Sequence, residues 1–422
     1  MTTQPPVGRS ATLARRARVL SPTYRLFYEQ PLQIVRAEDV WMYDEQGRAY
    51  LDAYNNVPVV GHCHPYVVDA LTRQARTLNT HTRYLAELPL QLAEELLATM
   101  PPELGNVVFT CTGSEANDLA VRVSKAVTGG TGFIITDFSY HGVTDVLSGM
   151  SPEDGGPLGP GVYTVPSPAA AGGAAAFGEH VRDSIERMRS DGVKLAALLT
   201  DTIFSSDGVF TDPKGFLADA VRHVQAAGGL FIADEVQPGF GRLGEAMWGF
   251  QRHGIVPDLV TMGKPMGNGH PVAAIAARPE IFSRFAQHKH YFNTYGGNSV
   301  SCAAALAVLH VIRTENLLEN AHRTGEYLKR GLSALAGRCS GIAEVRGVGL
   351  FVGVELHANP VSGLAGSAET KRVVNGMCRR GVLIGSTGRH GNVLKIRSPL
   401  TFGTQHADLL LEALEQTLTE KD

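Results

Sequence analysis

The stretch FLADAVRHVQAAGGLFIADEVQPGFGR, residues 216–242, changes its hydrophobic period partway along. Residues 216–228 place apolar side chains at helical spacing, Gly228 and Gly229 punctuate the chain, and the apolar run that follows reads as a buried strand ending on Asp234 and Glu235. A helix that feeds a strand apolar on both faces is the repeating unit of an α/β sheet covered on both sides. Beyond the strand the chain turns glycine-rich, as it does where such sheets hold ligands.

The same alternation extends outward. NVVFT (106–110), GFIIT (132–136), LAALLT (195–200), GLFIAD (229–234), DLVTM (258–262) and VAAIAA (272–277) read as buried strands, and SEANDLAVRVSKAV (114–127) has helical spacing. These elements predict an α/β domain with a mainly parallel sheet. The Gly-, Pro- and Ala-rich stretch 151–178 reads as a mobile loop, an insertion rather than a boundary. After about residue 318, the helical ENAHRTGEYLKRGLSAL, then GVGLFVGVEL, the helical ETKRVVNGMCRRG and VLIG predict a smaller α+β domain that the N-terminal segment joins. The expected division is 1–50, 51–315 and 316–422, without internal repeats.

Composition narrows the function. The chain has 422 residues, 44% of them hydrophobic and 19% charged, as a globular protein with a substantial core requires. A formal net charge of -3 with interspersed signs supplies no basic stripe, so nucleic acid is not an expected partner. Five scattered cysteines (63, 111, 302, 339, 378) without a C-x-x-C pair form neither a disulfide framework nor a zinc ribbon, and point to a reducing cytoplasm. Arg15-Arg16 lacks the apolar segment of a secretion signal and reads as part of a solvated basic helix. No apolar run reaches the roughly 20 residues that span a bilayer, so no membrane role is expected.

Three stretches carry chemistry. FTCTGSEAN (109–117) follows a strand and opens a helix, so Gly113 and Ser114 offer backbone N–H groups and a hydroxyl where a phosphate would bind. Asp234 and Glu235 are adjacent on an extended chain and therefore point to opposite faces, which leaves one for a ligand and the other for structural contacts. In MGKPMGNGHPV (262–272) Lys264 stands among glycines, prolines and apolar side chains with no acid close in sequence. An ammonium stripped of solvation loses its proton readily and can condense with an aldehyde. A phosphate cradle, an acid for a pyridinium nitrogen and an amine for an aldehyde are the three handles of pyridoxal 5'-phosphate.

These motifs, with YLDAYNNVPVVGHCHP (50–65), SYHGVT (139–144), FNTYGGNSVSCAAALAVL (292–309) and RGVGLFVGVEL (346–356), resemble the class III aminotransferases, the fold-type-I pyridoxal phosphate enzymes, over essentially the whole chain. NNVPVVGHCHP, LNTHTRYL (78–85) and GKPMGNGHPV are most similar to the branch containing ethanolamine-phosphate and phosphohydroxylysine phospho-lyases. The resemblance implies that Gly113 and Ser114 bind the cofactor phosphate, that Tyr140 stacks on the ring beside His141, and that Val236 packs on the opposite face. It further implies that Asp234 pairs with the ring nitrogen, Gln237 with the phenolic oxygen, and that Lys264 holds the cofactor and moves the substrate proton. Thr294 would reach the phosphate of a neighbouring subunit, which makes the expected assembly a homodimer with shared sites. His62, Cys63 and His64 have no ordinary zinc spacing, so no metal is expected.

The substrate is expected to be a small-molecule amine. Many relatives grip a substrate carboxylate with an arginine three residues before a Pro-Pro-Leu-like stretch; here LKIRSPL (394–400) puts Lys395 at that position and Arg397 two residues on. A lysine is a point charge that suits phosphate, although Arg397 offers an alternative grip. Asp201 stands where many relatives carry glutamate. Two reactions therefore compete: amino transfer to a keto acid or aldehyde, which the family at large favours and which we take first, and elimination of phosphate and ammonia from an amino-alkyl phosphate, which Lys395 and the branch resemblance favour.

Overall fold

The computed structural model describes residues 8–168, 172–287, 290–357 and 366–420. Its centre is a seven-stranded sheet in the spatial order Asn106–Thr110, Ala273–Ala277, Leu259–Met262, Leu230–Asp234, Leu195–Asp201, Gly132–Thr136, Val162–Val165. Ala273–Ala277 runs antiparallel to both neighbours and the other pairings are parallel. This is the predicted α/β architecture with a mainly parallel sheet.

Side-chain alternation explains why the sheet needs cover on both faces. Phe231 and Ala233 pack in the core that contains Phe177, Val181 and Leu217, from the helices Phe177–Ser190 and Leu217–Ala226. Ile232 points the other way, into a second core with Leu119, Ala120 and Val123 of the helix Gly113–Thr128. Asp234 shares the parity of Ile232, so it emerges toward the helix that begins at Gly113. That helix starts where its sequence says it should. The Thr112 hydroxyl accepts from the Glu115 N–H at 3.1 Å, and the Glu115 carboxylate accepts from the Cys111 N–H at 2.7 Å.

The N- and C-terminal parts share a sheet. Ile34–Glu38, Trp41–Asp44 and Ala49–Asp52 are joined by Val382–Leu383, which runs parallel to Ala49–Asp52. A second four-stranded sheet contains Ile342–Val348, Phe351–Leu356, Val393–Ile396 and Gly385–Thr387, all antiparallel. GVGLFVGVEL thus contributes to both arms of a hairpin, and VLIG is divided between two sheets. The buried Arg242 guanidinium binds the carbonyl oxygens of Ser398 and Leu350, tying the loop after Glu235 to this second sheet.

The reading of 151–178 as a loop needs correction. Val162–Val165 is the edge strand of the large sheet and Phe177 opens a helix. The flanking glycines and prolines are real turns, but they masked a four-residue strand that needs only one paired neighbour. Residues 169–171 lie outside the described residues. The basic segment forms a helix, Arg9–Val19, with no buried residue.

Glu235 takes the structural side of the adjacent acid pair. Its carboxylate accepts from the N–H groups of Gly249 at 2.7 Å and Phe250 at 2.8 Å, and from the Thr202 hydroxyl at 2.9 Å. Burial nevertheless pushes its carboxyl up from the usual 4.5 to about 7. Between these values the folded protein binds a proton that the unfolded chain releases, so this group makes stability fall as pH rises from about 4.5 to about 7 and causes no further loss above. Glu235→Gln should flatten that part of the decline, by about 3 kcal/mol; unfolding of both proteins across the interval measures it.

Candidate active site

Three parallel strands end in register at one edge of the large sheet. Asp201 pairs with Asp234, and Asp234 with Thr261. A cavity of about 180 Å³ opens there. Gly113, Ser114 and Asn117 line it from the helix, Tyr140, His141 and Gly142 from a turn, and Asp201, Asp234, Val236, Gln237 and Lys264 from the strand ends. All the cofactor-site residues expected within one chain therefore meet.

Asp234 is buried and held from three elements. Its Oδ1 accepts from the Val236 N–H at 3.1 Å, while Oδ2 accepts from Asn117 Nδ2 and from His141 Nδ1, each at 2.8 Å. A carboxylate only accepts, so His141 carries its proton on Nδ1, and its buried Nε2 has no partner among the described residues. Both amide hydrogens of Asn117 are committed, since Nδ2 also donates to the His141 carbonyl at 2.8 Å, and Oδ1 accepts from the Thr261 hydroxyl at 2.6 Å. Asn117 was legible in TGSEAND only as a helix residue four positions after Gly113, on the same face. Nothing local announces the acid it holds.

Lys264 opens the tight turn Lys264–Gly267 that follows the strand Leu259–Met262. The side chain is exposed, but toward the cavity, with protein around it. Burial lowers its pKa from the usual amine value and the Arg397 charge lowers it further; Asp234, Asp201 and Glu153 oppose both. The lysine that has no acid near it in sequence thus faces three in space. Asp201, absent from the expected site, accepts from the N–H groups of Ile203 at 2.8 Å and Ser205 at 3.0 Å, and burial raises its pKa.

The residues present fit pyridoxal phosphate. The N–H groups of Gly113 and Ser114 stand in the first turn of a 16-residue helix and have no acceptor among the described residues. A Cβ on Gly113 would stand 2.9 Å from Val236, and one on Gly142 (φ +143°) 2.7 Å from the Ser114 hydroxyl, so both positions exclude larger side chains. An anion cradle, an acid with free acceptor capacity and a partly desolvated amine occupy one cavity.

The remaining expected residues lie elsewhere. Thr294 is on an exposed loop outside this cavity. Lys395 is only 6% exposed, opposite Gly353 and Gly385 on the two neighbouring strands, with its amine 5.7 Å from the Phe351 ring. Burial, then Arg397, brings its pKa down to about 7, and no carboxylate pairs with it among the described residues. Arg397 donates from Nη1 to Gln237 Oε1 at 2.6 Å and from Nε to the Tyr54 carbonyl at 3.2 Å. His62 bonds Asp52 at 2.7 Å and His64 bonds Glu315 at 3.0 Å.

Residues 26–418 match the family model for class III aminotransferases, and the chain belongs to that family of pyridoxal phosphate-dependent enzymes. It is 42% identical to a phospholyase from Arthrobacter solved in complex with phosphoethanolamine, with a TM-score of 0.93 over 97% of this chain and 100% of that one. An Arabidopsis thaliana protein named alanine–glyoxylate aminotransferase 2 homolog 2, mitochondrial, is 39% identical over 99% of this chain and 90% of its own. The ethanolamine-phosphate phospho-lyase homolog 1 of Caenorhabditis elegans is 35% identical over 96% and 93%. No single helix among the described residues is long and apolar enough to cross a membrane.

Removing the amide that holds the site acid should show directly. Asn117→Ala leaves buried Asp234 and Thr261 short of partners, and should lower unfolding free energy by about 2 kcal/mol in urea denaturation of the cofactor-free protein.

Proposed function

We propose that this enzyme eliminates phosphate and ammonia from a small amino-alkyl phosphate of the phosphoethanolamine type. The observation that carries the reading is Lys395: a buried amine with no ion pair among the described residues, flanked by glycines, at the position where the family resemblance places a carboxylate-gripping arginine. A phosphate dianion supplies the missing countercharge, and an ammonium accommodates its geometry without a planar fork. The likeness to a phospholyase bound to phosphoethanolamine supports the same substrate class.

In this reading Gly113 and Ser114 bind the cofactor phosphate, Tyr140 and Val236 enclose the ring, and Gln237 meets its phenolic oxygen. Asp234 keeps the ring nitrogen protonated while His141 and Asn117 hold Asp234 in place. When bound, pyridoxal phosphate supplies a sink for the electron pair left as a C–H bond beside the amine breaks. Lys264 takes that proton. Phosphate then departs from the adjacent carbon with the electron pair, and addition of water leaves an aldehyde and ammonia. No acceptor is consumed. Amino transfer, the reading favoured by the aminotransferase-named relative at 39% identity, shares the proton step but requires a keto acid or aldehyde in every cycle.

Residues 51–315 act as the large cofactor-binding domain, and 316–422 with 1–50 as the small domain, which carries Lys395 into charge range of Lys264 and Asp201, both at the cavity of the large one. The working unit is a homodimer in which Thr294 reaches the cofactor phosphate of the partner; its loop exposes Phe292 and Tyr295, and Arg83, which stacks on Phe292, is followed in sequence by the exposed Tyr84 and Leu85, as a buried interface would need. Five free cysteines suit a reducing compartment such as the cytoplasm.

Cofactor-loaded protein incubated with phosphoethanolamine and no keto acid should release phosphate and acetaldehyde over many turnovers, whereas Lys264→Ala should lose both products and the visible absorption of the lysine-bound cofactor. A stop after one turnover would establish transfer instead. Lys395→Ala should raise KM for the phosphorylated amine at least about tenfold, the cost of one charged hydrogen bond, with cofactor affinity unchanged; equal loss of both would assign Lys395 a structural role.

A further inference from the structure

We infer that Arg397 is a positioning residue that fixes which end of the Gln237 amide faces the cofactor cavity. The inference rests on the cofactor reading above and goes beyond it, since Arg397 entered the sequence analysis only as a possible substrate grip.

Arginine carries only donors. The Gln237 atom 2.6 Å from Arg397 Nη1 is therefore the amide oxygen, and the NH₂ group must occupy the other branch of the amide. Gln237 lines the cavity with Lys264 and Val236, and its Nε2 makes no hydrogen bond among the described residues. A glutamine without this constraint can rotate its amide, presenting oxygen to the phenolic oxygen of the cofactor for part of the time. Two oxygens facing each other repel. With Arg397 in place, only the donor end is offered.

The guanidinium is itself immobilised. Its Nε donates to the Tyr54 carbonyl at 3.2 Å, its carbon lies 5.3 Å from the Tyr54 ring centre, and the Arg397 main chain donates to the Ala53 carbonyl at 2.8 Å. On the other side, Asn56 Nδ2 donates to the Gln237 carbonyl at 3.0 Å and pins that backbone. Both partners of the contact are thus held before any ligand arrives, as preorganised donors must be. Engagement with Gln237 and Tyr54 commits Arg397 to protein partners, whereas the Lys395 amine has no hydrogen bond or ion pair among the described residues.

The competing account is that Arg397 acts only through its charge on Lys264, and a double-variant cycle separates the two. Wild type, Gln237→Leu, Arg397→Met, Arg397→Lys and the Leu/Met double variant are reconstituted with pyridoxal phosphate, and the pH midpoint of the visible band is recorded for each. Loss of the donor should raise the midpoint by about one pH unit in Gln237→Leu, the size of one hydrogen bond to a charged atom. Arg397→Met should raise it at least as far, and adding Gln237→Leu to it should move it little more. Arg397→Lys, also donor-only, should stay near wild type. Additive shifts would overturn the positioning role and leave charge alone. Should Arg397→Met fail to fold, Gln237→Leu is compared in the Arg397→Lys background, where absence of its shift overturns the inference. A reconstituted wild type with no visible band would remove the cofactor reading itself, whereas a normal band with additive shifts removes only this one.

Discussion

A carboxylate buried at the end of a central strand is tolerable only if donors replace the water it gives up. Asp234 receives three, from the Val236 main chain, from Asn117 on the first helix and from His141 on the following turn. That requirement organises the molecule. It fixes how the helix Gly113–Thr128 lies against the sheet, and so where its amino end, with Gly113 and Ser114, faces the cavity. It also sets the tautomer of His141. One acid thereby positions an anion cradle and an aromatic turn that are separate in sequence.

Around that anchor the site balances opposite charges in little solvent. Lys264 feels the charges of Asp234, Asp201 and Glu153, Lys395 and Arg397 feel those of Asp201 and Glu153, and the Arg397 charge acts on both amines. Glu153 is held by the Ser206 hydroxyl at 2.6 Å, and the main chain of Ser206 is bonded to Gly388 and Thr387 beside the strand that carries Lys395. Glu153 thus joins the site from the stretch read as a loop. In the proposed reaction an arriving dianion would meet an amine that has no ion pair among the described residues, whereas a neutral substrate would leave that amine uncompensated. Selectivity of this kind comes from desolvation rather than from shape.

Much of the fold was legible because strand and helix periods are local. Phe231, Ile232 and Ala233 announce two buried faces wherever they are placed, and Gly113 with Ser114 marks a helix start by residue type alone. Asp234 and Glu235 could be assigned opposite duties from the pleat before either partner was known. Val162–Val165 was missed because four residues between glycines and prolines resemble a turn until a neighbouring strand supplies the pairing. Asn117 was missed for a related reason: an amide within a helix motif looks like a surface residue until the acid that accepts from it is found 117 positions away.

The sequence by itself determined the α/β alternation, the helix start at Gly113, the candidate lysine and acid, and, through their resemblance, the enzyme family. Only the tertiary structure decided that Lys264 faces three acids, that Lys395 is buried with no ion pair among the described residues, and that Arg397 meets Gln237 across 160 positions of chain. The division has a physical cause. Periodicity and capping are settled within a few residues by backbone geometry, whereas charge and hydrogen-bond energies depend on separation in space over a few ångströms, which distance along the chain does not specify.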